Sequence, residues 1–217
     1  MRFKPTGRET AASRVIPAKP APANGFDFTQ HMHHLCHDAC TRLPELQHVD
    51  MQRVAVTFSQ ARKQVAHGLY ASLTPMRFEG GALLDTTEER HYTVQRLFDA
   101  DGREMMYILR FYLPRFMEES FQEKLVTIFH ELWHVSPEFD GDLRRHDGRC
   151  YLHTHSQQQY DVSMARLVSK WLQLNPPPSL YAFLQYDFST LQQRFGRIYG
   201  IKIAHPKLIP LDQPSNS

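Results

Sequence analysis

The chain has few cysteines, no long hydrophobic run and little net charge, and each shortage excludes a class of protein. Its 217 residues include three cysteines, an odd number that cannot complete a disulfide framework. No two of them have the CxxC spacing of a zinc ribbon. The apolar runs are too short for a membrane-spanning helix. A formal charge of +2 is too small to indicate binding to nucleic acid or to a membrane.

The composition that remains is typical of one folded domain. Hydrophobic residues make up 41% of the chain and charged residues 22%, which suits a single domain with its own core. Residues 1–24 are basic and rich in proline and alanine, and they contain no apolar segment of a secretory signal. We expect them to form a disordered tail, with a weak nucleic-acid-binding arm as the alternative. We therefore expect a domain over residues 25–205, a flexible tail over residues 206–217, and a cytoplasmic location.

Hydrophobic periodicity predicts an α+β fold with further helices at both ends of the chain. Asp27 is the predicted N-cap of a first helix, with Gln30 completing a capping box, and Pro44 ends that helix. Apolar residues at helical spacing predict its buried face, and they are Phe28, Met32, Leu35, Ala39 and Leu43. Short strands are predicted at residues 54–58, 76–79, 91–98 and 105–113. Turn residues and a proline separate these strands, which favours a small mixed or antiparallel sheet over βαβ units.

The last third of the sequence is predicted to be helical. Apolar spacing indicates one helix from about residue 117 to residue 135, where Pro137 ends it. A second helix is expected after a capping box formed by Ser156 and Gln159, and a third after the predicted cap Ser179. We expect the helix that ends near residue 135 to pack on the sheet.

The helix predicted from about residue 117 to residue 135 carries the sequence His130-Glu131-Leu132-Trp133-His134. Residues four apart share one helix face, with Cβ atoms about 6 Å apart, so both imidazoles can bind one Zn²⁺ at about 2.0–2.1 Å. Glu131 lies about 100° around the helix, beside the open position of the metal, where a carboxylate can accept the proton of an attacking water. The alternative interpretation is an exposed polar stripe. We favour zinc ligands at His130 and His134 and a general base at Glu131.

A catalytic zinc ion generally needs a third protein ligand, and the sequence limits the choice. No glutamate follows Glu138. The HExxHxxGxxH arrangement fails, because Pro137 occupies its glycine position and cannot adopt a positive φ. We favour His146, which follows a turn centred on Asp140 and Gly141. The open alternatives are His153, His155, Asp140, Asp142 and, as the only available thiolate, Cys150.

Two other groups of polar residues could bind ligands. Histidines 31, 33, 34 and 37 alternate with Cys36 and Cys40 and could hold a second metal. Their pairs fall on different helix faces, so we interpret the segment as a solvated face with half-buried thiols. Arg144, Arg145 and Arg149 could polarise a scissile carbonyl or bind an anionic substrate, but we favour a solvated loop.

These features resemble SprT-like zinc metallopeptidases, and more closely the phage-type metallopeptidases of bacteria and their viruses. The resemblance spans about residues 27–175. It is specific at the HExxH motif of residues 130–134 and looser in residues 58–62, 73–81 and 139–146. It implies a zincin-like fold, with a small sheet packed on the HExxH helix, His130, His134 and His146 as Zn²⁺ ligands, and Glu131 as the base.

The expected function is therefore zinc-dependent hydrolysis of peptide bonds in a protein or peptide substrate. The alternative is a catalytically idle, zinc-stabilised regulatory or nucleic-acid-associated module. The chain lacks the cysteine-rich zinc ribbon that follows the peptidase domain in many SprT-like proteins, so the resemblance does not imply binding to DNA. No membrane association is expected, and the oligomeric state is not predicted.

Overall fold

The fold is α+β, as predicted. A computed structural model describes residues 12–17, 22, 24–61, 68–85, 91–145 and 157–211, the first five residues of the last range by backbone only. Its strands are β1 Ser13–Val15, β2 Phe26–Asp27, β3 Val54–Gln60, β4 Ala71–Pro75, β5 Leu84–Asp85, β6 His91–Val94, β7 Arg96–Phe98, β8 Tyr107–Leu113, β9 Ile198–Tyr199 and β10 Leu208–Leu211. Its α-helices are α1 Phe28–Arg42, α2 Phe121–Trp133, α3 Gln157–Gln173 and α4 Phe188–Phe195.

A mixed three-stranded sheet lies at the centre of the fold, with β8 between β3 and β4. Strand β3 is parallel to β8, and β4 is antiparallel to it. Alternate residues of β8, namely Tyr107, Leu109 and Phe111, are buried in the main core, because successive side chains of a strand point to opposite faces. Strand β4 forms an edge of this sheet, and α2 packs along it.

Helices α1 and α3 complete the main core. The predicted buried face of α1 is confirmed, since Phe28, Met32, Leu35, Ala39 and Leu43 are all fully buried. The carboxylate of its N-cap, Asp27, accepts a hydrogen bond of 3.0 Å from the backbone N–H of Gln30. On α3, the buried ring of Trp171 lies 5.8 Å from that of Phe129 on α2. No helix in the described ranges is both long and apolar enough to cross a membrane.

Helix α2 begins later than predicted. Residues Arg115–Glu118 form a separate 3₁₀ turn, and a capping box then opens the helix. The Ser120 hydroxyl accepts from the Glu123 backbone N–H at 3.2 Å, and the Glu123 carboxylate accepts from the Ser120 N–H at 2.9 Å. This S-x-x-E pattern is visible in the sequence, so the correct start could have been predicted.

Two predicted elements are wrong. The strand expected at residues 76–79 lies earlier, as β4, because Gly80 and Gly81 adopt positive φ angles of 65° and 77° and turn the chain. Pro75 is tolerated in β4 because its register with β8 directs its missing N–H away from the sheet. The last helix is capped by Asp187 rather than Ser179, and the Asp187 carboxylate accepts the Thr190 N–H at 2.6 Å.

Both predicted tails include a short strand where the structure describes them. Within residues 1–24, β1 pairs with β7, and within residues 206–217, β10 pairs with β6. Both short strands gain order from backbone hydrogen bonds to another part of the chain, which a local pattern does not reveal. Residues 1–11 and 212–217 lie outside the described residues, as does Ser156 of the predicted capping box.

Lys124 anchors α2 to the C-terminal part of the chain from a buried position, with 2% of its surface exposed. Its ammonium donates to the carbonyl oxygens of Leu184 at 2.9 Å and Tyr186 at 2.8 Å. Burial lowers the pKa of Lys124, against the raising effect of nearby carboxylates. The two bonds compensate for the desolvation of a charged group.

We predict that Lys124→Met lowers the free energy of unfolding by about 2–3 kcal/mol, because it leaves two carbonyl oxygens without a donor. The measurement is urea unfolding followed by circular dichroism. Lys170→Met is the matched control, since Lys170 forms a more exposed ion pair with Glu45, of a kind worth about 1 kcal/mol or less. Equal losses in the two variants would contradict the role of Lys124.

Candidate metal centre and active site

The two motif histidines converge at the C-terminal end of α2, where His134 is the C-cap. Their Nε2 atoms lie 3.0 Å apart, with ring centroids 4.7 Å apart and planes inclined at 81°. Two nitrogen ligands of a tetrahedral Zn²⁺ are separated by about 3.3 Å when each bond is about 2.05 Å. The 3.0 Å separation is that of a hydrogen bond between the two rings, and it is close to the separation that a shared metal ion requires.

Glu131 lies on the same helix turn with its side chain against the sheet, and 9% of its surface is exposed. Its carboxylate accepts a hydrogen bond from the backbone N–H of Leu73 on β4. The Met76 N–H, just after β4, donates to the Met106 carbonyl just before β8. Successive residues of a strand direct their N–H groups to opposite sides. The odd-numbered residues of β4, including Leu73, therefore direct their N–H groups away from β8. Glu131 is thus held at the free edge of the sheet.

Burial dominates the electrostatics of this carboxyl group. It raises the pKa of Glu131 to about 7, against the lowering effect of the hydrogen bond from Leu73. A carboxylate that loses water without gaining a cation binds its proton more tightly. Among the described residues, no cation forms an ion pair with Glu131.

After α2 the chain reverses and returns across the end of the helix. Leu143 forms an antiparallel bridge with Val135, and the Arg144 N–H donates to the His134 carbonyl at 2.7 Å. Gly141, with a φ of 91°, permits the reversal, as predicted. A Cβ atom at this position would lie 2.6 Å from the Cγ of Arg77, so the close packing also requires glycine.

Asp142 holds the returning loop in place. Its buried carboxylate accepts from the Gly80 N–H at 3.0 Å and from the Arg145 Nε at 2.8 Å. Burial favours a higher pKa for Asp142, but the bonds from Arg145 and from backbone N–H groups outweigh it and lower the pKa. Tyr107 links the loop to β8 by donating its hydroxyl to the Asp142 carbonyl at 2.8 Å.

The predicted third metal ligand has no counterpart among the residues that the structure describes. Within those residues, no group of three histidine, cysteine, aspartate or glutamate side chains is arranged to hold a metal ion. The Asp140 carboxylate instead accepts the Asp142 N–H at 3.0 Å. The remaining candidates all lie outside the described residues, and they are His146, Cys150, His153 and His155.

Two of the three loop arginines have structural contacts. The Arg144 guanidinium stacks on the Trp133 ring at 4.1 Å and donates to the Trp133 carbonyl at 2.7 Å. A positive charge at this position also stabilises the C-terminal end of α2. Arg145 pairs with Asp142 and Glu79. Sequence reasoning missed the stacking of Arg144 on Trp133, because the two residues are 11 positions apart and no local pattern pairs them. Arg149 lies outside the described residues.

The histidine- and cysteine-rich helix α1 does not form a second metal site within the described residues. His31 and His33 hydrogen-bond the backbone carbonyls of Asp27 at 2.8 Å and Met51 at 2.9 Å. Cys36 and Cys40 are buried in the core rather than half-buried as expected, and desolvation raises the pKa of both thiols, that of Cys40 to about 12. A thiol in this state is a poor metal ligand, because metals bind the thiolate.

Comparison with known proteins gave no match to a family model, to a curated protein or to a solved structure.

We predict that purified protein contains about one zinc ion per chain and that His130→Ala or His134→Ala removes most of it, because each variant takes away one of three protein ligands. Metal content is measured by mass spectrometry of digested protein. His33→Ala and His37→Ala are matched controls, since they also form a histidine pair four residues apart on a helix. Zinc retained in both motif variants would place the metal elsewhere.

A second prediction concerns the third ligand. Arg144 lies against His134, and two further residues extend the chain by about 7 Å, so His146 can reach the metal from the returning loop. We predict that His146→Ala weakens zinc binding at least tenfold, whereas His153→Ala and His155→Ala change it little. The measurement is competition with a chromogenic chelator. The opposite order among the three variants would assign the third ligand to the segment before α3.

Proposed function

We propose that this protein is a zinc-dependent metallopeptidase with a zincin-like arrangement, in which the metal-binding helix α2 packs along the edge strand of a mixed sheet. One observation carries the proposal: the Nε2 atoms of His130 and His134 converge to 3.0 Å beside a buried carboxylate, Glu131, that carries no paired cation among the described residues. A purely structural zinc site has no use for such a carboxylate.

The proposed metal is Zn²⁺, held by His130, His134 and a third residue, for which we favour His146. When bound, zinc lowers the pKa of a coordinated water and polarises a carbonyl group. The nitrogen donors suit this borderline ion. The return of the chain across the end of α2, with the Arg144 N–H bonded to the His134 carbonyl, supports a ligand located shortly after Arg144.

Glu131 is the proposed general base. Its carboxylate accepts the proton of the attacking water and then transfers it to the nitrogen of the departing amine, so that one residue serves both steps. The hydrogen bond from the Leu73 N–H keeps the side chain oriented without neutralising it. Burial excludes bulk water, which would otherwise compete for the same proton.

The position of Glu131 supports a protein or peptide as the substrate. Because Glu131 contacts the outer edge of β4, a peptide bond attacked there must lie close to that edge. Alternate residues of β4, namely Ala71, Leu73 and Pro75, direct backbone groups outward, and of these the Leu73 N–H is bonded to Glu131 and Pro75 has no N–H. Extended peptides commonly bind to such groups. Hydrolysis of a peptide bond is therefore the reaction that we favour.

We predict that Glu131→Gln retains zinc but hydrolyses a denatured protein about 10²–10⁴-fold more slowly than the wild type, because the amide keeps the size of the side chain and loses its basicity. Fragment formation is followed by electrophoresis, and zinc is measured on the same samples.

Glu138→Gln is the matched control, since Glu138 is an exposed glutamate beyond the same helix, and it should retain full activity. Equal rates for Glu131→Gln and the wild type would exclude Glu131 as the base. A wild-type protein that binds zinc and cleaves no protein would support the idle regulatory module instead.

A further inference from the structure

The face of the central sheet that points away from the main core carries several polar residues beside Ala55 and Ile108, which belong to a second hydrophobic cluster. Alternation along the three strands places hydroxyl groups and one guanidinium on this face, and the residues are Thr57, Ser59, Ser72, Thr74, Arg110 and Tyr112. Arg110 lies on the middle strand, β8, with 2% of its surface exposed. A charged side chain at the centre of a sheet requires compensation, because leaving water is costly for a charge.

The contacts of Arg110 satisfy its hydrogen bonds only in part. One terminal nitrogen donates to the Ser59 hydroxyl at 2.7 Å, and the other donates to the Ile203 carbonyl at 2.7 Å. The buried Nε–H has no hydrogen-bond partner among the residues that the structure describes. Both acceptors are neutral, and no carboxylate of the described residues forms an ion pair with Arg110.

Other buried cations of the protein are compensated differently. Arg77 pairs with Glu104 at 2.7 Å, and the ammonium of Lys124 lies near three carboxylates, those of Glu118, Glu119 and Asp187. Burial lowers the pKa of Arg110, and among the described residues the phenol of Tyr112 opposes this effect. A buried guanidinium without an anion is an unusual arrangement, because such groups are normally paired.

The groups around Arg110 are hydrogen-bond donors rather than acids. Ser72 is its cross-strand neighbour on β4, and the hydroxyls of Ser72 and Tyr112 lie 3.4 Å apart. Both residues are partly exposed, which provides access from solvent. His205 interacts electrostatically with Arg110, and its pKa is lowered first by burial and then by this positive charge. A guanidinium, two hydroxyls and an imidazole form a donor set that suits an oxyanion.

We propose that this face of the sheet binds a phosphate-type oxyanion, with Arg110 supplying the charge and Tyr112, Ser72 and His205 supplying further hydrogen bonds. The site is separate from the metal centre, because Arg110 lies on the sheet face that points away from the main core, whereas helix α2, which carries the motif histidines, packs into that core. It also involves the C-terminal segment, since Thr57 holds that segment to β3 through the Ile201 carbonyl at 2.9 Å and the Ile203 N–H at 3.0 Å.

The test is calorimetric titration of the full chain with inorganic phosphate at constant ionic strength. We expect saturable binding of one phosphate per chain at this site. Tyr112→Phe should weaken it about tenfold, because a hydrogen bond to a charged group is lost. Arg110→Met should abolish it. Arg166→Gln removes an exposed positive charge on α3 and is the control for net charge, with unchanged affinity expected.

Ser72→Ala and His134→Ala are two further variants that keep the result decisive. Ser72→Ala and Tyr112→Phe leave the buried charge in place, so they test the site even when Arg110→Met does not fold. His134→Ala removes a proposed metal ligand, and an unchanged phosphate affinity in that variant is required. Binding that disappears in His134→Ala would assign the anion to the metal centre and overturn the proposal. The proposal is also overturned when the wild type shows no saturable phosphate binding. It is overturned as well when the wild type, Tyr112→Phe and Ser72→Ala bind phosphate with equal affinity. In either case Arg110 serves as a structural tether.

Discussion

The packing of α2 between the edge strand β4 and helix α3 is the constraint on which the candidate site depends. Leu125, Ile128, Phe129 and Leu132 are fully buried on the core side of α2, so the rotation of the helix about its axis is set by the core. Once that rotation is set, the 3.6-residue period places His130 and His134 together on the other side. The metal pair is therefore positioned by hydrophobic packing and not by contacts of its own.

The same packing gives Glu131 an environment that the histidines do not share. One residue further along the helix, its carboxylate turns toward β4 and meets the outward N–H of Leu73. Shifting the register of β4 by a single residue would turn this N–H toward β8 and leave the carboxylate without a donor. The pairing of Leu73 with Leu109 thus contributes to the candidate site, although neither residue carries a reactive group.

Local signals predicted local features well. The buried face of α1, the cap at Asp27 and the strand that ends at Leu113 were predicted because each depends on residues close in the chain. The later start of α2 could also have been read from Ser120 and Glu123. The position of β4 could not be read from the sequence, because residues 71–75 and 76–79 have a similar alternation of polar and apolar side chains. Pairing with β8 and the turn at Gly80 decide between them. The strands at Ser13–Val15 and Leu208–Leu211 were missed for the same reason, since their order comes from distant partners.

The sequence by itself determined which chemical groups share the helix face at His130 and His134, because a four-residue spacing on a helix has one geometric consequence. It also determined that the chain can reverse after α2, through Pro137 and Gly141. Only the tertiary structure decided that Glu131 lies against Leu73, that Arg144 is bonded to the end of α2, and that the buried Arg110 donates to the Ile203 carbonyl with no ion pair to a carboxylate of the described residues. These contacts join residues far apart in the chain. Long-range pairing follows from the packing of whole elements, and no local pattern of residues encodes it.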